Sequence, residues 1–291
     1  WNDIENFCGT SAGAIFSLLA ALGYTPYEMK EIMFTLDYNK FKDKESYVRQ
    51  CFNLFRGYGL HSGKYFESWC QDIIEEKMGD PNATFLDHYN KKGKNLFIIT
   101  SNISTQYSEV LCHATTPHLE LWKAVRMSMA IPFYFTSVKL PFYVKVEEDG
   151  PVVLKECIFS DGGIFQNYPI QFFDDPRFCD PDDHGEYHNQ ETLGFKLDSK
   201  DQIDILVHHE VPFFSPTKNI IQFIEKLINS LMNIQDNYYR TSDDWKRTIF
   251  IDTIGVTTTD FNISLEKKYA LFNSGYEGAR KFFLEKGVKA K

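Results

Sequence analysis

Apolar and polar positions follow two different periods along this chain, which predicts alternating helices and strands. The apolar run Ile4 to Cys8 is typical of a strand that turns at Gly9, and the run Ala12 to Leu22 predicts a helix that ends at Gly23. Recurrence of apolar residues every three or four positions predicts further helices over Pro26 to Leu36, Ser62 to Lys77 with Ser62 as the cap, Glu120 to Met129, Asn219 to Tyr239 and Ser264 to Leu284.

Short apolar runs predict the strands. The nearly continuous run Asn95 to Thr100 is typical of a strand that is covered on both faces of a parallel sheet. A hairpin with its turn near Asp149 and Gly150 is predicted from Tyr143 to Val146 and Val152 to Phe159. Further strand-like runs are Leu193 to Leu197, Ile203 to Val207 and Thr248 to Ile254. Because strands and helices alternate, we predict an α/β fold with a mainly parallel central sheet between helix layers.

Composition limits the class of protein. The chain has 291 residues, of which 43% are hydrophobic and 24% charged, so a globular domain is expected and disorder is excluded. No apolar run reaches the roughly 18 residues that a membrane span needs. The net charge of -9 creates a field that repels phosphate backbones and anionic lipid surfaces, which argues against nucleic-acid binding. Six cysteines without a C-x-x-C pair favour reduced thiols and a cytoplasmic location, with peripheral membrane contact left open.

Gly9-Thr10-Ser11-Ala12-Gly13 matches the pattern G-x-S-x-G at the point where a strand turns into a helix. Such a turn crowds the backbone, so positions 9 and 13 are expected to require glycine for steric reasons. The turn also exposes the Ser11 side-chain oxygen beside the helix N-terminus. The amide of Ala12 at the helix N-terminus is expected to bind an oxyanion. The pattern predicts a nucleophilic serine; the alternative is that Ser11 only caps a buried helix.

A nucleophilic serine needs a base, and the sequence offers two interpretations. His208 or His209 would complete the order Ser, Asp, His of an α/β-hydrolase, although too few residues precede Ser11 for that fold. Asp161, at the end of a β-rich run, is the other candidate, because Gly162 and Gly163 let the backbone bend and approach a neighbouring loop.

Three segments together resemble the patatin-like phospholipases: Gly9 to Ala14, Ala124 to Pro132, and Asp161-Gly162-Gly163 with Asn167-Tyr168-Pro169. The similarity covers about Asn2 to Leu197. The resemblance implies a three-layer α/β/α fold and a Ser-Asp dyad without histidine, in which Ser11 is the nucleophile and Asp161 the base. It also implies a phospholipid or other acyl-lipid substrate, transient contact with a membrane surface, no nucleic acid, no metal and no cofactor.

The resemblance is incomplete at the start. Members of that family carry a glycine-rich oxyanion loop after their first strand, and this sequence begins at Trp1, after the position of that loop. We therefore expect either a longer protein or a catalytically inactive lipid-binding or storage relative. Transacylation stays open beside hydrolysis, since both pass through an acyl-serine.

The remaining features of the sequence are interpreted as structural and not as catalytic. Residues 1–210 are predicted to form the acyl hydrolase domain and 211–291 a mainly helical extension. Arg126 and Ser128 are interpreted as scaffold, and the apolar stripe of the helix from Asn219 as core, with a lipid-facing role as the alternative. Cys179, His184 and His188 lie in an acidic stretch, Asp174 to Glu191, that is interpreted as a solvated loop without a metal.

Overall fold

A computed structural model of the chain describes residues 3–148, 150–208, 210–212, 214–239 and 241–287. It divides into two compact units. The first comprises Trp1–Asn167 with Leu227–Asn233, and the second comprises Tyr168–Lys226 with Ile234–Lys291. The boundary at residue 210 that the sequence suggests lies inside the second unit and stays a prediction.

The elements alternate as the sequence pattern predicts, which confirms the α/β class. The helices are α1 Ala12–Leu22, α2 Pro26–Thr35, α3 Tyr47–Gly57, α4 Lys64–Met78, α5 Phe85–Lys92, α6 Leu121–Ser128, α7 Gly163–Gln166, α8 Lys200–His208, α9 Ile220–Tyr239, α10 Ser242–Lys246 and α11 Leu265–Glu285. The strands are β1 Asn6–Thr10, β2 Gly59–His61, β3 Asn95–Asn102, β4 Tyr107–Leu111, β5 Phe133–Phe135, β6 Val138–Lys145, β7 Val152–Asp161, β8 Gly194–Asp198 and β9 Thr248–Asp252. Two short 3₁₀ helices cover Tyr38–Lys42 and Ile170–Phe173.

The main sheet of the first unit is built around β3. β1 pairs with β3 in parallel, whereas β4 and β7 pair with β3 antiparallel, and β6 pairs antiparallel with β7. The predicted parallel pairing of the buried strand is therefore confirmed for β1. The β3–β4 and β6–β7 pairs are antiparallel because a short connection returns the chain directly, whereas β7 pairs with β3 after a much longer stretch of chain. The other parallel pairs are β2 with β5 and β8 with β9.

One edge of β3 receives two strands that end against each other. β4 pairs with Ile98 to Asn102 of β3 and so occupies one edge, which leaves the opposite edge for β1 and β7. β1 ends with Thr10 opposite Ile99, and β7 ends with Asp161 opposite Thr100. The carboxyl ends of both strands therefore meet at consecutive residues of β3.

Helix α1 packs against this meeting point. Its sequence is almost wholly apolar, and a helix that is apolar all round is stable only when it is buried. Leu18, Leu19 and Leu22 have no more than 1% of their surface exposed. Gly23 ends the helix at φ +88°, and its N–H donates to the carbonyl of Ala20.

The cap of α4 differs from the prediction. Ser62 does not cap the helix; Gly63 is the capping residue, and its φ of +74° favours glycine. The carboxylate of Asp43 accepts from the N–H groups of Gly63, Lys64 and Tyr65 and from the Ser62 hydroxyl. A carboxylate brought from a distant loop thus takes several donors, where a local hydroxyl would take one.

Two other predictions were wrong in part. Ile203 to Val207 is helical within α8, because Ser199 caps a helix that includes this run. The stripe of α9 is core only at Met232, whereas Ile220, Phe223, Leu227 and Leu231 are exposed. Residue Asp149 of the predicted hairpin turn lies outside the described residues. α3 and α5 were not predicted.

The second unit contains the parallel pair β8 and β9, with α11 packed against β9. A buried ion-pair network supports it. The guanidinium of Arg247 contacts the carboxylates of Asp174 and Asp244, and Gln171 donates to Asp244 at 2.7 Å. Across the described part of the chain, no helix combines the length and apolarity required to cross a bilayer.

The two glycines of the G-x-S-x-G motif are expected to respond differently to alanine. A Cβ on Gly9 would lie 2.2 Å from the carbonyl oxygen of Gly13, whereas a Cβ on Gly13 would meet no atom within 4 Å. The steric requirement predicted for both glycines is therefore wrong for Gly13. Gly9→Ala should lower the free energy of unfolding by about 2 kcal/mol or more, because backbone must move.

Gly13→Ala is the matched control and should change that free energy by less than about 1 kcal/mol. Urea denaturation of both variants is the measurement. Equal losses for the two would contradict the close approach of Gly9 to α1.

Candidate active site

Ser11 stands at the turn between β1 and α1. Its backbone has φ 53° and ψ -123°, a combination that non-glycine residues rarely adopt. Backbone strain of this kind persists where the surrounding structure holds it. The close approach of Gly9 to the first turn of α1 allows this sharp turn, so the strand-to-helix context predicted for Ser11 is confirmed.

The hydroxyl of Ser11 donates a hydrogen bond of 2.6 Å to Oδ2 of Asp161. The other carboxylate oxygen, Oδ1, accepts from the N–H of Gly163 at 2.8 Å. Ser11 is 8% exposed and Asp161 is fully buried. These two residues are 150 positions apart in sequence and meet because β1 and β7 end on one edge of β3.

Burial changes the acidity of the carboxyl group. Desolvation raises the pKa of Asp161 to about 7, and the hydrogen bonds from Ser11 and Gly163 oppose this rise. A carboxylate with a pKa near neutral is a stronger base than an exposed aspartate, and near pH 7 both of its protonation states are populated.

Ser128 holds the backbone of the candidate nucleophile. Its hydroxyl accepts from the N–H of Ser11 at 2.8 Å and donates to the carbonyl of Ile99 at 2.5 Å. The sulfur of the next residue, Met129, lies 3.6 Å from the Ser11 hydroxyl. The sequence analysis interprets Ser128 as scaffold; the structure adds that its side chain bonds directly to the backbone of Ser11. The position of Ser128 in the segment Ala124 to Pro132, which carries part of the family resemblance, is the sequence feature that could have indicated this contact.

Arg126 anchors the helix that carries Ser128. Its guanidinium donates 2.8 Å hydrogen bonds to the carbonyls of Ser62 and Thr136, and its Nε lies 3.4 Å from Glu67. The side chain is buried and contacts neither Ser11 nor Asp161 among the bonds described. This arrangement agrees with a structural role for Arg126.

The start of α1 offers hydrogen-bond donors beside Ser11. The first N–H groups of an α-helix have no carbonyl partner within the helix, and the helix dipole favours negative charge there. Ala12 and Gly13 are the first two residues of α1. The open space over Gly13 leaves room for a substrate atom to approach this turn.

Gly162 and Gly163 differ in what they allow. A Cβ on Gly162 would lie 2.4 Å from the carbonyl oxygen of Ile99, so this position requires glycine. A Cβ on Gly163 would meet the terminal methyl of Met232 at 2.5 Å, which is the far end of a flexible side chain. The backbone at Gly162 therefore makes a close approach, as predicted, but to strand β3 and not to a loop, and the N–H of Gly163 donates to Asp161.

No histidine side chain among those described is hydrogen-bonded to Ser11 or Asp161. His209 and the side chain of His208 lie outside the described residues.

The acidic loop of the second unit groups Asp182, Glu186 and His188, with one ligand atom of each within 4.8 Å of the others. Cys179 is not part of this group, because its thiol points to the carbonyl of Phe173. Asp182 accepts from the N–H groups of His184 and Glu186, which is ordinary turn geometry.

Comparison with known proteins identifies a family and several proteins to which this chain is similar. A family model described as patatin-like phospholipase matches residues 2–174. The uncharacterized protein R571 of Acanthamoeba polyphaga mimivirus is 27% identical over 281 residues, which cover 96% of this chain and 82% of that protein. The probable lipid hydrolase 463L of Invertebrate iridescent virus 6 is 26% identical over 175 residues, 58% of this chain and 53% of that protein.

Among solved structures, VipD from Legionella pneumophila has a similar fold, with a TM-score of 0.61 and 16% sequence identity. The match covers 98% of this chain and 62% of VipD. This chain thus spans about half of the iridescent virus protein and less than two thirds of VipD.

Removal of the Ser128 hydroxyl is expected to destabilise the turn between β1 and α1 that holds Ser11. Ser128→Ala leaves the buried N–H of Ser11 and the carbonyl of Ile99 without this partner, which should lower the free energy of unfolding by about 1–3 kcal/mol. Ser101→Ala is the matched control, since this equally buried hydroxyl donates a longer bond of 3.4 Å to Gly162. Urea denaturation that gives equal losses for both variants would contradict the role of Ser128.

Asp161 is expected to make stability depend on pH. Because its pKa is about 7 in the folded protein and 3.8 ordinarily, the folded state holds the proton more tightly, and this stability is lost as pH rises through 7. Between about pH 5 and pH 8 the loss should be on the order of 2–3 kcal/mol.

Asp161→Asn should remove this part of the pH dependence, because the amide does not ionise and can still accept from Gly163. Thermal denaturation of both proteins across this range is the measurement. Parallel profiles for wild type and variant would show that Asp161 titrates normally.

Proposed function

The chain belongs to the patatin-like phospholipase family, and from this premise we propose that it is a lipid acyl hydrolase that acts through Ser11 and Asp161. The proposed reaction is the hydrolysis of fatty acyl esters of phospholipids or related lipids. Family membership and the similarity to a probable viral lipid hydrolase support the general activity. The roles of the two residues are part of the proposal.

One observation carries the proposal: the 2.6 Å hydrogen bond from the Ser11 hydroxyl to a fully buried Asp161. A serine nucleophile requires a base within hydrogen-bond reach, and this distance meets that requirement. The raised pKa of Asp161 supports the same role, since a carboxylate of ordinary pKa is a weak base for an alcohol.

In the proposed mechanism, Asp161 removes the hydroxyl proton while the Ser11 oxygen attacks the ester carbonyl carbon. The carbonyl oxygen gains the negative charge and faces the N–H groups of Ala12 and Gly13. When the tetrahedral intermediate collapses, the carbon–oxygen bond to the alcohol breaks and Asp161 returns the proton to the departing oxygen. Water, deprotonated by Asp161, then attacks the acyl-serine. When this second tetrahedral intermediate collapses, the bond to the Ser11 oxygen breaks, Asp161 returns the proton to that oxygen, and the fatty acid leaves.

Replacement of either dyad residue should abolish hydrolysis. Ser11→Ala removes the nucleophile and Asp161→Asn removes the base, so kcat/KM for a p-nitrophenyl acyl ester and for a fluorogenic phospholipid should fall by about 10³-fold or more. Activity of the wild type should rise with pH and reach half its maximum near pH 7, because Asp161 must be ionised to accept the proton.

Two exposed residues of α4 provide matched controls: Ser68→Ala and Asp72→Asn make the same chemical changes away from the site. Both should retain wild-type rates. Loss of activity on replacing His208 and His209, with the wild-type rate kept in Asp161→Asn, would favour a histidine-dependent esterase. A wild-type protein that binds lipid but hydrolyses no ester would instead be a lipid-binding or storage protein.

A further inference from the structure

Helix α3 presents apolar side chains to solvent. Tyr47, Val48, Phe52 and Phe55, here called the α3 face, are between 51% and 82% exposed. Val48, Phe52 and Phe55 recur at the four- and three-residue spacing of one helical face. Isolated apolar residues are common on protein surfaces, whereas exposed apolar residues grouped on one helical face favour an interaction site.

Both charged residues within helix α3 are positive, while the carboxylate of Glu45, before the helix, accepts a hydrogen bond from Asn53. Arg49 and Arg56 place their guanidinium groups 5.5 Å and 5.7 Å from the ring centre of Phe52. Helix α3 contains no acidic residue, although the whole chain has a net charge of -9. Within the described ranges, neither arginine lies within ion-pair distance of a carboxylate. This pattern of apolar residues flanked by cations is typical of helices that lie on anionic membranes.

A short path of chain connects the α3 face with the candidate site. Tyr58, directly after α3, accepts the N–H of Phe133 at 3.1 Å, and the ammonium of Lys139 lies 5.7 Å from the Tyr58 ring. Phe133 is half exposed and has φ +64°, which is strained for a bulky residue. Phe133 lies four residues after Met129, whose sulfur contacts the Ser11 hydroxyl. The Cα atoms of Met129 and Phe133 are therefore at most roughly 14 Å apart.

We propose that the α3 face, with Arg49 and Arg56, docks the protein on an anionic lipid bilayer next to the candidate site. The choice of a lipid as occupant rests on the proposed function, and the choice of an anionic one rests on the two arginines. Phe52 and Phe55 insert among the acyl chains, while the guanidinium groups contact lipid phosphates. The overall negative charge does not prevent this contact, because repulsion is screened beyond about 8 Å at physiological ionic strength.

The test measures binding separately from catalysis. Ser11→Ala protein is sedimented with vesicles of phosphatidylcholine alone and of phosphatidylcholine with phosphatidylserine. We expect binding to the anionic vesicles, weaker binding to the neutral ones, and loss of binding at high salt. Arg49→Gln with Arg56→Gln should weaken binding to the anionic vesicles by about tenfold or more, since each cation near the surface contributes to affinity. Phe55→Ser and Tyr47→Ser should weaken binding to both kinds of vesicle.

Matched controls come from other surfaces. Tyr27→Ser changes a tyrosine at the start of α2 that is 72% exposed, compared with 81% for Tyr47. Arg280→Gln removes an exposed arginine from α11. Both should leave binding unchanged, and every variant that keeps Ser11 should hydrolyse a soluble short-chain ester at the wild-type rate.

Equal binding to neutral and anionic vesicles, no binding at all, or no effect of the α3 variants would overturn the proposal. Concentration-dependent self-association that Phe55→Ser abolishes, without vesicle binding, would also overturn it and assign the face to a second copy of the chain. An inert wild type that still binds anionic vesicles through α3 would reject the proposed hydrolysis and leave the docking surface standing.

Discussion

The candidate site depends on one edge of β3, on which β1 and β7 end against each other. Thr10 and Asp161 are held opposite Ile99 and Thr100, two consecutive residues of the same strand. This register brings the residue after β1 within hydrogen-bond distance of the last residue of β7. A slip of β7 by one residue would turn the Asp161 side chain to the opposite face of the sheet and break the contact with Ser11.

The same arrangement places unfavourable features close together. Asp161 is a fully buried carboxyl group, and Ser11 holds a strained backbone conformation. Each has a local compensation: the N–H of Gly163 bonds to the carboxylate, and the Ser128 hydroxyl bonds to the Ser11 N–H. Costs of this kind are commonly retained at functional sites, because a rearrangement that relieved them would also remove the chemistry.

The proposed docking surface and the proposed dyad make different demands on the first unit. The dyad requires exclusion of water, which burial around β3 supplies, whereas contact with a bilayer requires apolar and cationic groups in solvent. The chain meets the second demand locally, on α3, while its overall charge stays negative. Phe133 and Tyr58 connect the two regions through a short segment of backbone.

The sequence by itself determined the features that depend on nearby residues. The apolar run after Ser11 predicts α1 to the residue, and the pattern G-x-S-x-G places Ser11 at a strand-to-helix turn, because periodicity and turn chemistry are local properties. Resemblance to a family selected Asp161, whereas the residues alone left a histidine open as the base.

Tertiary structure decided what depends on distant groups. It brought Asp43 to the start of α4 in place of Ser62, limited the steric need for glycine within the G-x-S-x-G motif to Gly9, and made Ile203 to Val207 helical. It also paired Ser11 with Asp161 and raised the pKa of that carboxyl, because burial and hydrogen bonding across 150 residues exist only once the strands have joined on β3.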